Sequence, residues 1–461
     1  IRRQRQMCIR DSSYFGRVMY SYADRYLFQA NIRHDGSSRF AKKHRWGTFP
    51  SFSAGWVLSE ENFMKNLNWE WLSFLKIRAT WGALGNERIG DFPYMSTIAF
   101  GNTIFYQNNG IYFDQTASQQ KYAIENVTWE KTESTDIGLD ISFLNNRLRV
   151  NGDYYWKNTK DMLLAMAIPD FLGFSDPDVN AGKMSTKGYE LNVSWNDHIG
   201  DFSYGIAINF SDFTSKMGDL QGTQFLGDKV KMEGSEFNEW YGYVSDGLFL
   251  TEEDLKNSPK INDKNTQLGD IKYKDISGPD GVPDGKISPE YDRVLLGSSL
   301  PHFLYGGNIN LGYKNFDLSL AFQGVGKQNA RLAREMVESF RNNYGNFPAI
   351  IDGNYWSPYN TDEQNAVAKY PRLTHVNKSS NYAMSDYWLF NGGYFRLKNI
   401  TLGYTFPKEW MNAIGIKGAR IYASASDLFC LSKYPKGWDP EMGVSEYPIT
   451  TSILLGVSVN F

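Results

Sequence analysis

The sequence predicts an all-β chain, a transmembrane antiparallel β-barrel, on three observations. Apolar and polar residues alternate with period two over runs of membrane-crossing length. The composition is rich in aromatic rings yet hydrophilic on average. Short and long links join the runs in turn.

Alternation is clearest at the C-terminus. Thr451, Ile453, Leu455, Val457, Val459 and Phe461 fall on one side of an extended chain, and Ser452, Leu454, Gly456, Ser458 and Asn460 on the other, because successive side chains of a strand point to opposite faces. The apolar set is expected to face outward, and Ser452, Ser458 and Asn460 the interior. Ile137, Leu139, Ile141 and Phe143 alternate in the same way with Gly138, Asp140 and Ser142. So do Tyr189, Leu191, Val193 and Trp195 with Glu190, Asn192, Ser194 and Asn196, and the runs Tyr204–Phe210 and Ile309–Tyr313 continue the pattern. With its ends each run lasts about 9 to 11 residues, the length a tilted membrane strand needs. Between Phe395 and Phe406 the apolar parity changes from Phe395 and Leu397 to Ile400, Leu402 and Tyr404, with Arg396 and Lys398 opposite the first pair, which predicts a bulge near Asn399.

Of the 461 residues 16 % are aromatic (29 Tyr, 30 Phe, 13 Trp), 42 are Gly, and the mean hydropathy is −0.47. Amphipathic rings suit a protein with two water interfaces, and low mean hydropathy suits strands with a single apolar face. A secreted carbohydrate-binding β protein would share both features. Lys plus Arg total 48 against 51 Asp plus Glu, so charge gives no reason to expect a nucleic-acid partner. Two cysteines, Cys8 and Cys430, exclude a disulfide-dense scaffold and a thiolate metal cluster. No run approaches the roughly 18 apolar residues of a membrane helix, so any crossing is by strands.

The count is on the order of 14 to 16 strands, of a kind with outer-membrane barrels. Tight links such as Asn145-Asn146 alternate with long polar stretches such as Gly218 to Glu239 and Arg331 to Asp386. Short turns on one side and long loops on the other mark that class; a soluble sandwich or lectin alternates as well, without sorting its loops by length. At the other end, Ile1 to Asp11 (IRRQRQMCIRD) carries four Arg and no alternation. Residues 1–12 read as a non-native leader similar to translated adaptor sequence, with a short basic arm as the alternative, and residues 13–461 as barrel.

Several stretches resemble consecutive strands of SusC/RagA-type TonB-dependent receptors: Ser13 to Phe40, WGTFPSFSAGW (Trp46 to Trp56), LKIRATWGALGNERIGDFPY (Leu75 to Tyr94), Glu125 to Leu163, YFRLKNITLGYTFP (Tyr394 to Pro407) and the terminal GVSVNF. The resemblance implies an outer-membrane importer of a Gram-negative bacterium, non-enzymatic and needing no cofactor. It further implies glycan oligosaccharides or peptides as substrate, a SusD-like lipoprotein lid, and drive from the TonB complex through an N-terminal plug. Phe461 looks like the signal that barrel-assembly machinery reads. Signal peptide, plug, TonB box and first strands have no counterpart here, so the expectation is the C-terminal, incomplete portion of a large barrel with an unpaired edge at Tyr14 to Tyr22. The alternatives are a passive porin and a secreted or surface glycan-binding β protein.

No enzymatic motif stands out. None of the five His lies within four residues of another, and neither G-x-S-x-G nor a phosphate-binding loop occurs. Gly324-Val325-Gly326 reads as a turn. Carboxylate pairs abound, and the separation a glycosidase needs is spatial, so the sequence does not select one. Leu332, Met336, Val337 and Phe340 within Arg331–Asn343 have helical spacing and predict a loop helix packed on its own barrel, or one that binds a partner. Trp240, Tyr241, Tyr243, Tyr355, Trp356 and Trp388 lie in long loops, where they could stack on sugars, dock a lid or pack. Tyr154, Tyr155, Trp156 and Trp195 read as an interfacial belt. Asp275 to Asp292 (DISGPDGVPDGKISPEYD) resembles the family's acidic DxNGDGxID-type loop, departing from it at Ser277, Pro279 and Pro283. Asp275, Asp280, Asp284 and Asp292 are its candidate calcium ligands, with a plain acidic turn as the alternative.

Overall fold

The computed structural model describes residues 11–107, 110–119, 122–166, 168–174, 176–220, 222, 226–262, 264–341, 347–443 and 446–461. The chain divides into two compact units, one of Ile1–Leu191, Phe213–Gln224 and Met232–Gly234, the other of Asn192–Asp212, Phe225–Lys231 and Ser235–Phe461.

In the first unit β1 (Asp11–Tyr22), β2 (Tyr26–Ser37), β3 (Trp46–Val57), β4 (Leu72–Asn86), β5 (Glu130–Phe143), β6 (Leu148–Lys160) and β7 (Met184–Ile199, of which Met184–Leu191 belongs here) lie in chain order. Their ladders β1–β2, β2–β3, β3–β4, β4–β5 and β5–β6 are antiparallel. Tight reversals use left-handed backbone at Ala23 and Asp24, and at Leu144, Asn145 and Asn146, where asparagine tolerates that conformation best among residues with a side chain. The Asn145-Asn146 link is therefore the turn expected. Within its unit, among the described residues, β1 pairs with β2 alone, and all twelve of its residues are exposed. The strand starts at Asp11; residues 1–10, including Cys8, lie outside the described residues.

The second unit holds β8 (Phe202–Met217, of which Phe202–Asp212 belongs here), β9 (His302–Tyr313), β10 (Phe316–Lys327), β11 (Tyr394–Thr405), β12 (Gly418–Ser432) and β13 (Ser452–Asn460), in chain order and antiparallel. Register aligns like with like. One row across these strands reads Tyr204, Leu311, Leu318, Leu402, Ala423, Leu455, and the next reads Gly205, Asn310, Ser319, Thr401, Ser424, Leu454. Leu454 is the single apolar residue in that polar row. Ile453, Leu455 and Val457 share the apolar face and are 75, 81 and 70 % exposed. No second sheet covers them, as a lipid-facing set requires. The parity change near Asn399 is a bulge, with slips between Leu397 and Asn399 against β12 and between Ala321 and Phe322 against β10.

Among the described residues thirteen long strands form these ladders, Ile98–Gln107 and Gly110–Gln119 form a separate long hairpin, and shorter strands decorate the loops, against the 14 to 16 strands expected. Four local readings are corrected. Gly324-Val325-Gly326 is no turn but part of β10, its small residues leaving room for the Tyr305 and Phe303 side chains. The helix expected over Arg331–Asn343 is the four residues Arg334–Val337, because Arg331 is already paired in a short strand; Met336 and Val337 are buried as expected. Tyr155 belongs to no outward belt: alternation puts it opposite Asp136 on the polar face, away from Tyr154 and Trp156, with the Lys157 ammonium 4.5 Å from its ring centre. Finally, Tyr243 and Trp388 are not exposed loop aromatics.

Those two rings belong to a core that the long loops of the second unit build for themselves, from Tyr243, Leu248, Ile271, Tyr273, Met336, Val337, Ile351 and Trp388. At its centre Asp270, fully buried, accepts from Arg372 Nε (2.7 Å), Asn377 Nδ2 (2.8 Å) and Asn381 Nδ2 (2.8 Å). A buried carboxylate persists only when paired and hydrogen-bonded in this way. Asn381 in turn accepts from Ile271 N through its side chain, and from Trp388 Nε1 through its carbonyl. Burial pushes the Tyr273 hydroxyl far above its ordinary range, and that of Tyr382 up to about 12, so both stay neutral donors in this core.

Candidate functional site

The polar strand faces carry the charge. In the first unit the rows Gly55, Arg78, Gly138, Asp153 and Lys76, Asp140, Asn151 lie side by side on one face. Arg78 donates through Nη2 to Asp153 Oδ2 (2.7 Å) and through Nε to Asp140 Oδ1 (3.2 Å), and its Nη1 lies 3.7 Å from Asp136 Oδ1. Asn151 Nδ2 donates to Asp140 Oδ1 at 2.8 Å. The geometry depends on Gly138: a Cβ there would sit 2.4 Å from Arg78 Cζ and 2.5 Å from Asp153 Oδ1, so only glycine lets the guanidinium cross the strand. One cation thus organises three carboxylates, while neighbours such as Asn31 and Ser51 (3.1 Å apart) carry no charge.

The second unit repeats the arrangement. Arg420 Nε donates to Asp317 Oδ1 at 3.1 Å, with Thr401 and Ser424 hydroxyls 2.8 Å apart on the same face. At the bulge, Lys398 Nζ meets Asp427 Oδ1 (2.7 Å), while Arg396 meets Asp439 through Nη2 (2.7 Å) and Glu441 through Nε (2.8 Å). Arg396 is 2 % exposed. The bulge turns Lys398 toward the same carboxylates as Arg396, and the cluster pins the segment after β12 against the strand face. Sequence reading missed the partners Asp427, Asp439 and Glu441. Two cations two residues apart on an otherwise Ser, Thr and Asn face were the available signal.

The four candidate calcium ligands are placed differently. Asp292 is buried and already accepts from the backbone N–H groups of Ile276 (2.8 Å), Ser277 (3.3 Å) and Ser288 (2.7 Å). Asp275 Oδ2 accepts from Gly285 N (2.6 Å), and Asp284 Oδ1 from Lys286 N (2.9 Å); Asp280 is exposed. Asp275 Oδ1 is buried without a hydrogen-bond partner, yet among the described residues no three His, Cys, Asp or Glu side chains gather as a metal ion would require. Calcium takes six to eight oxygens. In this loop Asp275 and Asp284 meet at one turn, and Asp275, Asp284 and Asp292 each accept from backbone N–H groups.

Comparison with known proteins agrees with this two-faced sheet. The family described as TonB dependent receptor-like, beta-barrel matches residues 4–428. The TonB-dependent receptor SusC of Bacteroides thetaiotaomicron is 32 % identical over 97 % of this chain and 43 % of its own length. TonB-dependent receptor P3 of Formosa agariphila is 31 % identical over 93 % of this chain and 42 % of its own. The structure of the RagAB peptide transporter superposes with a TM-score of 0.80 at 22 % identity, over 98 % of this chain and 47 % of that one, a likeness of fold. The chain thus spans less than half the length of these relatives. Strands with one lipid-type face and one charged face, loops with a core of their own, and a match over nearly all of the sequence converge, and the chain belongs to the TonB-dependent receptor-like β-barrels of the outer membrane.

Proposed function

We propose that this barrel forms the transport pathway of a TonB-dependent importer whose cargo is a large polyhydroxylated nutrient, a glycan oligosaccharide. The observation that carries the reading is the polar strand face. Arg78 and Arg420 are held there in cross-strand ion pairs, Lys398 meets Asp427 and Arg396 meets the segment after β12, while amides and hydroxyls line the polar face within each unit, Asn31 and Ser51 in the first and Asn310, Ser319, Thr401 and Ser424 in the second. Between these charges the neutral donors and acceptors suit a hydroxyl-rich cargo. A SusD-like surface lipoprotein would act as the lid, and the TonB complex would supply energy through a plug. No catalytic step is assigned to the chain. Peptide cargo is the second reading, favoured by the fold shared with the RagAB peptide transporter.

The test is uptake by cells making the complete receptor. Labelled oligosaccharide should enter, and entry should stop when the TonB gene is deleted or the proton gradient is collapsed. Entry that persists without TonB would make the protein a passive pore, and entry of labelled peptides alone would select the second reading.

A further inference from the structure

The loop region of the second unit holds a concavity apart from the strand faces. It encloses about 550 Å³, within the range of small-ligand clefts, and its wall is aromatic. Trp356 is half-buried, and Gly269 lies so close beneath its ring that a Cβ there would come within 2.3 Å. With φ at +83° as well, Gly269 admits no other residue without strain. Tyr359, on the same rim, is 96 % exposed. With Tyr355 and Trp356 lining the same concavity, the exposed Tyr359 ring adds an aromatic face open to a ligand at its rim.

The loop is well fixed. Asn365, itself buried, accepts from Ser357 N (3.0 Å) and Asn360 Nδ2 (3.1 Å) and donates to Ser357 O (2.9 Å). Asn360 Nδ2 also donates to Tyr355 O (3.0 Å), and Trp356 N to Tyr370 O (3.0 Å). Tyr359 is therefore presented by a backbone tied at both sides, which lowers the ordering cost of binding.

The cleft's polar groups narrow the ligand class. Its cation, Arg372, is neutralised by the buried carboxylate of Asp270 and by Asn265 O, so the site offers no free charge to an anion. Glu252 and Gln267 expose a carboxylate and an amide at the rim, acceptors for hydroxyl donors. Ring faces flanked by such acceptors match the apolar C–H face and equatorial hydroxyls of a neutral sugar. We infer that the loop region carries a glycan-binding cleft on Trp356 and Tyr359, separate from the transport pathway, that captures an oligosaccharide before it enters the barrel. This deepens the import reading by giving its cargo a first contact.

Binding to the complete receptor in detergent, measured by titration calorimetry without TonB, keeps the two claims separable. The probes are maltoheptaose, cellohexaose, xylohexaose and mannohexaose, with a neutral hexapeptide as control. At least one oligosaccharide should bind; Tyr359→Ala should weaken it by about threefold to tenfold, the range of one aromatic contact, and Tyr359→Phe should not. Because Tyr359 packs on so little, the melting temperature should stay that of the wild type, so a loss of binding is not a loss of fold. No oligosaccharide binding at millimolar concentration, binding indifferent to Tyr359→Ala, or binding of the hexapeptide alone would overturn the cleft. Retained cleft binding in a receptor that fails to import would sink the import reading and leave the cleft standing.

Discussion

Placing an arginine at Val457 tests the assignment of strand faces. Val457 lies one residue beyond the Gly456 midpoint of β13, on the apolar face opposite Ile421 and 70 % exposed. One residue of a tilted strand is about 2.5 Å along the membrane normal, so the site is close to mid-bilayer. A lipid-facing arginine there costs roughly 2 to 4 kcal/mol, a shift of about 30- to 900-fold in the folding equilibrium. The control is Leu454→Arg, two residues from the midpoint but on the polar face beside Ser424. It replaces a side chain with more apolar surface, so apolar area alone ranks it as the worse change, whereas the face assignment predicts a cost below about 1 kcal/mol. Denaturant titration of the complete receptor in lipid vesicles, followed by the gel mobility of unheated samples, reads both. Equal destabilisation by the two variants, or a larger effect from Leu454→Arg, would refute the assignment.

Three further outcomes follow from the ion pairs and loops. Arg396→Met strands Asp439 and Glu441 beside a single remaining cation, and loss of one partner from a buried cluster costs about 3 to 5 kcal/mol; limited proteolysis should cut within residues 433–451, and unchanged resistance would contradict the pinning. In the loop region burial works against ionisation of Glu338, but the Arg334 guanidinium and the Lys378 ammonium outweigh it and hold the carboxyl below its ordinary range. A depressed value contributes stability that is present above the unfolded-state pKa and lost as pH falls through the folded one. Amide exchange around Arg334–Val337 should therefore accelerate below the usual glutamate range in the wild type, while Glu338→Gln should exchange fast already at neutral pH; a pH-independent wild type would count against the clip. Because Asp292 holds three backbone N–H groups, Asp292→Ala should expose the Asp275–Asp292 loop to protease whereas a chelator should not, and chelator-induced cleavage would show that a metal orders the loop.

The spanning strands were legible because their signal is local. Alternation through Ile453, Leu455, Val457 and Val459, the asparagines of the Asn145-Asn146 turn and the parity change at Asn399 each depend on a few neighbouring residues, and each is where the sequence put it. Trp388 was not legible. Its burial depends on segments such as Ile271 and Asn381, linked by a hydrogen bond across 110 residues, and periodicity carries no trace of such pairing. Tyr155 was misread as a member of an aromatic cluster when strand geometry alone divides Tyr154, Tyr155 and Trp156 between two faces. In the acidic loop, spacing showed that carboxylates cluster, but whether they turn toward one another or toward backbone N–H groups is a matter of turn conformation. The Arg396 cluster was half visible: the cations stood out, while their partners lie on the next strand and the segment after it.

The most direct test of the two-faced barrel is a cysteine scan of Ser452–Asn460 in a receptor whose native cysteines are replaced by serine, reconstituted in vesicles containing nitroxide-labelled lipid. Free cysteines at 453, 455, 457 and 459 should resist a water-soluble maleimide, and fluorophores attached there in separate samples should be quenched by the lipid, whereas positions 452, 454, 458 and 460 should do the reverse. Uniform maleimide labelling of both sets, with no quenching by lipid at any position, would contradict the account.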